Sequence, residues 1–409
     1  MPTEIELQPL TPAVEEKASG STKPFLEAWS NVRREHPILS SLLIFVPLGF
    51  YAHHAQLADA WIFTLTFLGI LPLAWLIGKT TEDLASHTNQ VLGGLVNATF
   101  GNVVEMLLCC SGIIHGEITV VQCTLLGSIL SNLLLVMGTS FVYGGYYHKR
   151  QFFNQEGAKV QSSLLLLALL TLALPMMYST LSSEDTTSEK EVLSMSRQGS
   201  ILMLGVYVQY LYFQIISHQE LFEGGDDDEE DEADFGFWGA ISLLGVATVV
   251  TAMLSDYLIQ SIEPAVLSFG TSKEFIGIII LPIIGNAAEH YTAIVMAGKN
   301  KMDLSLGVAV GSGCQMMLLV TPLSVLAGWF ADQPMSLNFH PFQVAVLLLS
   351  VLIVNTILAN GETNWLEGVM LLNAYLFISM MYFCETPESA DKVYEDVRHH
   401  SAPGAVTSG

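Results

Sequence analysis

Gly101-Asn102-Val103-Val104-Glu105 and Gly285-Asn286-Ala287-Ala288-Glu289 decide how this chain is read. Each sets a carboxylate into an otherwise apolar run, and the two acids lie 184 positions apart (105 to 289). The same offset pairs Gly127-Ser128 with Gly311-Ser312, and Gly93 with Gly277. One offset that aligns separate motifs marks a duplicated unit. A carboxylate is expensive to hold at hydrocarbon depth, so its repetition points to a functional site.

The surroundings of both motifs are those of a membrane protein. The chain is 51% hydrophobic and 13% charged, against about 25% charged residues in soluble domains; its mean hydropathy is +0.49. Apolar runs near 20 residues recur throughout. They are continuous rather than alternating, so helices are expected, not a barrel. Eleven spans are predicted: 38–56, 60–78, 93–114, 118–143, 160–178, 198–217, 238–260, 275–298, 304–330, 341–359 and 364–383. The first follows 37 polar residues without a small-residue cleavage site, which reads as a retained helix rather than a signal peptide. Cys109, Cys110, Cys123, Cys314 and Cys384 lie in or beside these runs and form no C-x-x-C pair. They read as small buried hydrophobes rather than a disulfide or zinc framework.

Glu105 falls in span 3 and Glu289 in span 8. Five spans separate equivalent helices, and an odd shift reverses direction. The expectation is therefore an all-α polytopic protein with two inverted five-helix repeats and one extra N-terminal helix. The expected division is 1–37 an N-terminal segment, 38–57 the extra helix, 58–218 repeat one, 219–235 an acidic linker, 236–383 repeat two, and 384–409 a tail. Inverted repeats with a midplane site at their interface are a recurring plan of secondary transporters.

Orientation follows from Lys and Arg. With the N-terminus cytosolic, that side collects Lys17, Lys23, Arg33, Arg34, Lys79, Lys149, Arg150, Lys159, Lys299 and Lys301. The other side holds Lys190, Arg197, Lys273, Lys392 and Arg398. Ten against five favours a cytosolic N-terminus and a lumenal C-terminal tail. Between spans 6 and 7, residues 223–234 gather nine acids without a base: Glu223, Asp226, Asp227, Asp228, Glu229, Glu230, Asp231, Glu232 and Asp234. The run reads either as a solvated linker or as a cation-attracting, regulatory element at the cytosolic mouth. The net charge of −24 repels nucleic acid and suits a cationic substrate; lipid is the expected surrounding partner.

Asn102 and Glu105 are three residues apart, as are Asn286 and Glu289, so each pair shares a helix face. The preceding glycines let the helix loosen. Amide and carboxylate oxygens are hard donors that suit Ca²⁺, whereas soft metals prefer thiolate or imidazole; Mn²⁺ stands as an alternative substrate. Buried acids without a cationic partner favour the neutral form, so the same two carboxylates can take up protons as the metal leaves. If only they titrate, two protons exchange for one Ca²⁺. His290 either adds a proton site or packs beside it; the first repeat carries Met106 there. Ser128, Ser131, Ser312 and Gln315, inside spans 4 and 9, can complete the ligand set, or the Gly-Ser pairs can serve close helix packing. Glu82 and Glu263 close spans 2 and 7 and read as acids at opposite mouths.

These residues resemble the cation/Ca²⁺ exchangers, and within them the Ca²⁺/H⁺ exchangers of fungal vacuoles and plant tonoplasts. The likeness rests on NATFGNVVE (97–105), LPIIGNAAEH (281–290), GSILSNLLLVMG (127–138), VAVGSGCQ (308–315) and the acidic run. It covers nearly all of the chain beyond residue 37. It implies eleven helices, proton-driven export of cytosolic Ca²⁺ into an acidic organelle at a vacuolar membrane, and Glu105 and Glu289 as central ligands. After Asn102 the family more often has Ala or Thr where this chain has Val103. A Na⁺- or K⁺-coupled exchanger is the nearest rival. A cation channel usually builds its filter by oligomerising, and an intramembrane enzyme finds no HExxH or G-x-S-x-G here. The protein is accordingly expected to be a transporter, not an enzyme.

Overall fold

The structure, a computed structural model, describes residues 25–181, 189–222 and 233–384. Among them, ten helices are long and apolar enough to cross a bilayer, and an eleventh span is bent by 60° at a one-residue break. We number them α1 (Pro37–His54), α2 (Asp59–Ser86), α3 (Val91–Ile114), α4 (Ile118–Tyr147), α5 (Gln155–Leu181) and α6 (Glu189–Ser217). The second set is α7 (Phe237–Phe269), α8 (Lys273–Gly285 with Ala287–Gly298), α9 (Met302–Phe330), α10 (Pro341–Leu358) and α11 (Trp365–Cys384). All eleven expected spans are present. A shorter helix, Phe25–Glu35, precedes them.

Many hydroxyls within these helices satisfy themselves locally, as hydrocarbon surroundings favour. Thr66, Thr80 and Thr124 each donate to the carbonyl four residues back, at 2.7–2.8 Å. The 184-residue offset reappears as architecture. The α3 halves, Gln90–Phe100 and Val103–Ile114, match the two halves of α8. Ile118 opens α4 as Met302 opens α9. A wide π-helical turn begins at Ser131 in α4 and at Met316 in α9. Such turns inside α-helices are frequent at functional sites.

Successive crossings put the loops on alternate faces. One face, here the linker face, carries residues 218–222 and 233–236 and the α4–α5, α8–α9 and α10–α11 loops. There β1 (Gln151–Phe152) pairs antiparallel with β2 (Glu362–Thr363), Gln151 opposite Thr363. The opposite side is the far face. Asp234 lies on the linker face, where it pairs with Lys79 at 2.8 Å. The other eight acids of the run, and segments 1–24 and 385–409 of the expected division, lie outside the described residues.

Buried apolar side chains form two cores. One is built largely from α4, α5, α9, α10 and α11; the other joins α2 and α7. Helices α3 and α8 run along the seam and feed both. Val104 and Leu108 enter the α2–α7 core, while Cys109 and Ile113 enter the other. Likewise Leu281 and Ile284 face one core and Ala293 and Ala297 the other. The two motif-bearing helices thus occupy the boundary between packed bodies.

Candidate cation site

Both motif helices break at the asparagine. Asn102 leaves helical geometry (φ −114°, ψ 29°), and Val103–Ile114 starts after it. Asn286 does the same (φ −87°, ψ 15°) ahead of Ala287–Gly298. Each glutamate therefore sits in the first turn of a half-helix, beside the amide that opens it. The preceding glycine serves a close approach rather than the break. A Cβ on Gly285 would stand 2.8 Å from Glu105 Cγ and 2.9 Å from its Cδ and Oε1. The first acid is thereby pressed against the second motif, one turn ahead of Glu289. Glu289 lies within electrostatic reach of Glu105 and of Glu82. Both motif acids are buried and turned inward.

The polar residues of α4 and α9 cross-link the two motifs. Ser312 Oγ donates to Asn102 Oδ1 at 2.9 Å, and Asn102 Nδ2 donates to Gln315 Oε1 at 2.6 Å. In the other half, Ser128 Oγ donates to Asn286 Oδ1 at 2.8 Å, and Asn286 Nδ2 donates to the Ser128 carbonyl at 3.2 Å. Ser128 with Asn286 and Ser312 with Asn102 are equivalents under the repeat. Each motif is thus held by a helix of the opposite half.

The structure adds Asn132, which the sequence reading left out. Its Nδ2 donates to Ser312 Oγ at 2.9 Å and to Asn286 Oδ1 at 3.3 Å, so it bridges the halves. The available signal was its place inside GSILSN; the 184 offset hid it, because its equivalent is Met316.

Five buried oxygens here make no hydrogen bond of ordinary geometry: both carboxylate oxygens of Glu105, Glu289 Oε2, Ser131 Oγ and Asn132 Oδ1. Ser128 lies close enough to Glu105 to interact with it, but its proton goes to Asn286. Buried polar atoms are ordinarily paired, and two carboxylates repel each other strongly where the dielectric is low. A divalent cation relieves both problems, and so do protons. No group of three or more His, Cys, Asp or Glu suited to a metal occurs among the described residues. A cation at this place would rest on two carboxylates and neutral oxygens, a donor set that fits a hard ion.

The remaining expected residues fall around this centre. His290 Nε2 meets Thr139 Oγ1 at 2.9 Å. That hydroxyl already donates to the Leu135 carbonyl at 2.7 Å, so the imidazole is the donor. Glu82 is exposed on the linker face and accepts from Thr292 Oγ1 at 3.5 Å, three residues beyond Glu289. Near it a cavity of about 250 Å³ opens, lined among others by Thr292, Gln161 and Asp303. Glu263, read from sequence as a mouth acid, is on the far face but is paired with Lys273 at 3.3 Å.

The sodium/calcium exchanger protein family matches residues 59–216 and 239–383 of this chain. The chain belongs to that family. This exchanger-family chain is 41% identical over 365 residues to "Vacuolar cation/proton exchanger 3" of Oryza sativa subsp. japonica, covering 86% of the chain and 87% of the relative. It is 40% identical over 363 residues to the "Ca(2+)/H(+) antiporter" of Aphanothece halophytica, covering 85% and 97%. Among solved structures, the Ca2+/H+ antiporter protein YfkE superimposes with a TM-score of 0.73 at 34% identity, over 86% of this chain and all of that one. The family match spans both motifs and the helices that cross-link them.

Proposed function

We propose that this protein is a secondary antiporter that moves Ca²⁺ across a membrane in exchange for H⁺, by alternating access to one site between Glu105 and Glu289. The observation that carries the reading is the pair of buried acids, one from each repeat, brought together with unpartnered oxygens. Both relatives quoted above are named as exchangers of a cation, or Ca²⁺, for protons. Ca²⁺ and protons then compete for the same carboxylates. The ion neutralises their repulsion; on its release two protons do so, and the charge-balanced site can be presented to the other side. Ser131 and Asn132 supply neutral oxygens, and Asn102, Asn286, Ser128, Ser312 and Gln315 hold the frame. Mn²⁺ has a similar preference for oxygen donors and is the alternative cargo.

The linker face is assigned to the cytosol, with the N-terminus, from the Lys and Arg distribution. Ca²⁺ then enters past Glu82 and Thr292 and leaves to an acidic lumen. The vacuolar membrane is the address that the rice relative's name supports; the Aphanothece relative's name carries the ions without that address. Protein in sealed vesicles with an acidic interior should take up ⁴⁵Ca²⁺ with Na⁺ and K⁺ absent, and collapse of the pH gradient should stop it. Uptake that requires Na⁺ or K⁺ and ignores the pH gradient would reassign the coupling ion.

A further inference from the structure

The far mouth is shut and the linker mouth is not, and the difference lies in residues related by the repeat. On the far side, Gly127 of α4 lies directly against the backbone of Ile278 in α8, and Gly277 against Cys123, with no room for a Cβ at either glycine. The offset of 184 carries these four positions to Gly311, Gly94, Gly93 and Gly307 on the linker side. There a Cβ on Gly307 would meet nothing within 4 Å, and one on Gly311 only Gln161 Nε2 at 3.4 Å. Helix α9 therefore does not close on α3 as α4 closes on α8.

Over the closed contact sits a group that the exchange chemistry does not use. Lys273 Nζ, at the start of α8, lies 3.1 Å from Glu117 Oε2 and 3.3 Å from Glu263 Oε1. Glu117 caps α4, and Glu263 belongs to α7. The triad ties together the two helices that seal the far mouth and one helix of the α2–α7 core. Its counterparts under the repeat are Asn89 for Lys273, Lys301 for Glu117 and Lys79 for Glu263. Two cations and a neutral amide cannot pair among themselves, so the repeat does not carry this triad to the linker mouth, where Lys79 is held instead by Asp83 and Asp234.

We propose that Lys273, Glu117 and Glu263 form an ionic latch that holds the far mouth shut and sets the linker-open state as the resting state. The inference rests on the alternating-access reading of the proposed function. Its test reads the opening of the mouth, not flux, so the two can fail separately. Cys123, buried beneath the latch against Gly277, is the reporter. With Cys109, Cys110, Cys314 and Cys384 each replaced by Ser, an impermeant maleimide is applied from the far side of sealed vesicles. Lys273→Met should raise the rate of Cys123 labelling by about two- to tenfold, the range expected from two partly exposed ion pairs. The exchange of charges, Glu117→Lys with Lys273→Glu, made together with Glu263→Gln so that the new carboxylate at 273 faces no second acid, should restore slow labelling. Glu263→Gln, at a side chain 66% exposed, tests the latch without threatening the fold and should show a smaller rise. Unchanged labelling in both Lys273→Met and Glu263→Gln, with Ca²⁺ uptake retained, would remove the latch and leave the exchange reading intact. A charge exchange that labels as fast as Lys273→Met would also overturn it.

Discussion

Helices α3 and α8 carry the same motif in different settings. Helix α3 passes through its break as one 24-residue span, whereas α8 turns by 60°. Glu105 is 1% exposed and Glu289 9%. The residues between Asn and Glu follow this difference. Gly78 of α2 approaches so closely that a Cβ there would lie 2.7 Å from that of Ala288. The equivalent pair is Ile262 of α7 and Val104 of α3, both buried in the α2–α7 core. Large residues fill one contact and small residues allow the other. A duplicated sequence thus holds two unequal conformations at once, which is what one site needs if it is to open to one side at a time. Val103-Val104, the departure from the family's usual pattern, belongs to the bulky contact.

The largest expected effect would break the comparison outright. Glu105→Gln and Glu289→Gln should each abolish proton-driven Ca²⁺ uptake, because each removes a ligand charge and a titrating group. Proton-coupled uptake that survives in either variant would defeat the two-carboxylate account.

Gly285→Ala comes next. Its methyl group would occupy the space of the Glu105 side chain. Small displacements of a reacting group can cost about a hundredfold, so uptake should fall by roughly tenfold or more while the protein still purifies as a folded species. Normal uptake would show that Glu105 does not work from its place against Gly285.

Asn132→Ala removes the bridge between the halves. A buried polar group left without its partner costs about 1–3 kcal/mol, and tenfold in affinity corresponds to about 1.4 kcal/mol. Ca²⁺ affinity, read from the concentration dependence of uptake, should weaken by roughly ten- to a hundredfold. Ser131→Ala, whose hydroxyl makes no hydrogen bond of ordinary geometry, should cost less.

The smallest effects sharpen the comparison of the two packed contacts. Val104→Ala leaves a void in a filled core and should lower thermal stability, by about 2 kcal/mol or less, with exchange retained. Ala288→Val adds bulk where Gly78 leaves no room. It should depress uptake more than Val104→Ala does. The reverse order would mean that size at these positions does not distinguish the halves.

Much of this was legible in the sequence, for identifiable reasons. Spans are set by length and hydropathy, which are local properties, so all eleven appear where expected. The two acids were legible because burying a charge is costly and the offset repeats it. Asn132 was not, since the duplication has diverged there to Met316 and a lone amide in an apolar span has no pattern to mark it. The sequence offers Asn102 and Asn286 as oxygen donors; their cross-linking of α4 and α9 was not legible, since it depends on contacts 154 to 213 residues apart. The pairing of Glu263 with Lys273 was not legible either, because Lys273 lies beyond the end of the helix that carries Glu263 and the repeat puts Asn89 at the equivalent position.

The central claim is that one cation sits between acids supplied by both halves. Anomalous diffraction from crystals soaked in Sr²⁺ or Mn²⁺ tests it directly. The account predicts a single internal peak in contact with the carboxylates of both Glu105 and Glu289, lost in Glu105→Gln. A peak that touches only one of these residues, or separate peaks at each, would contradict it.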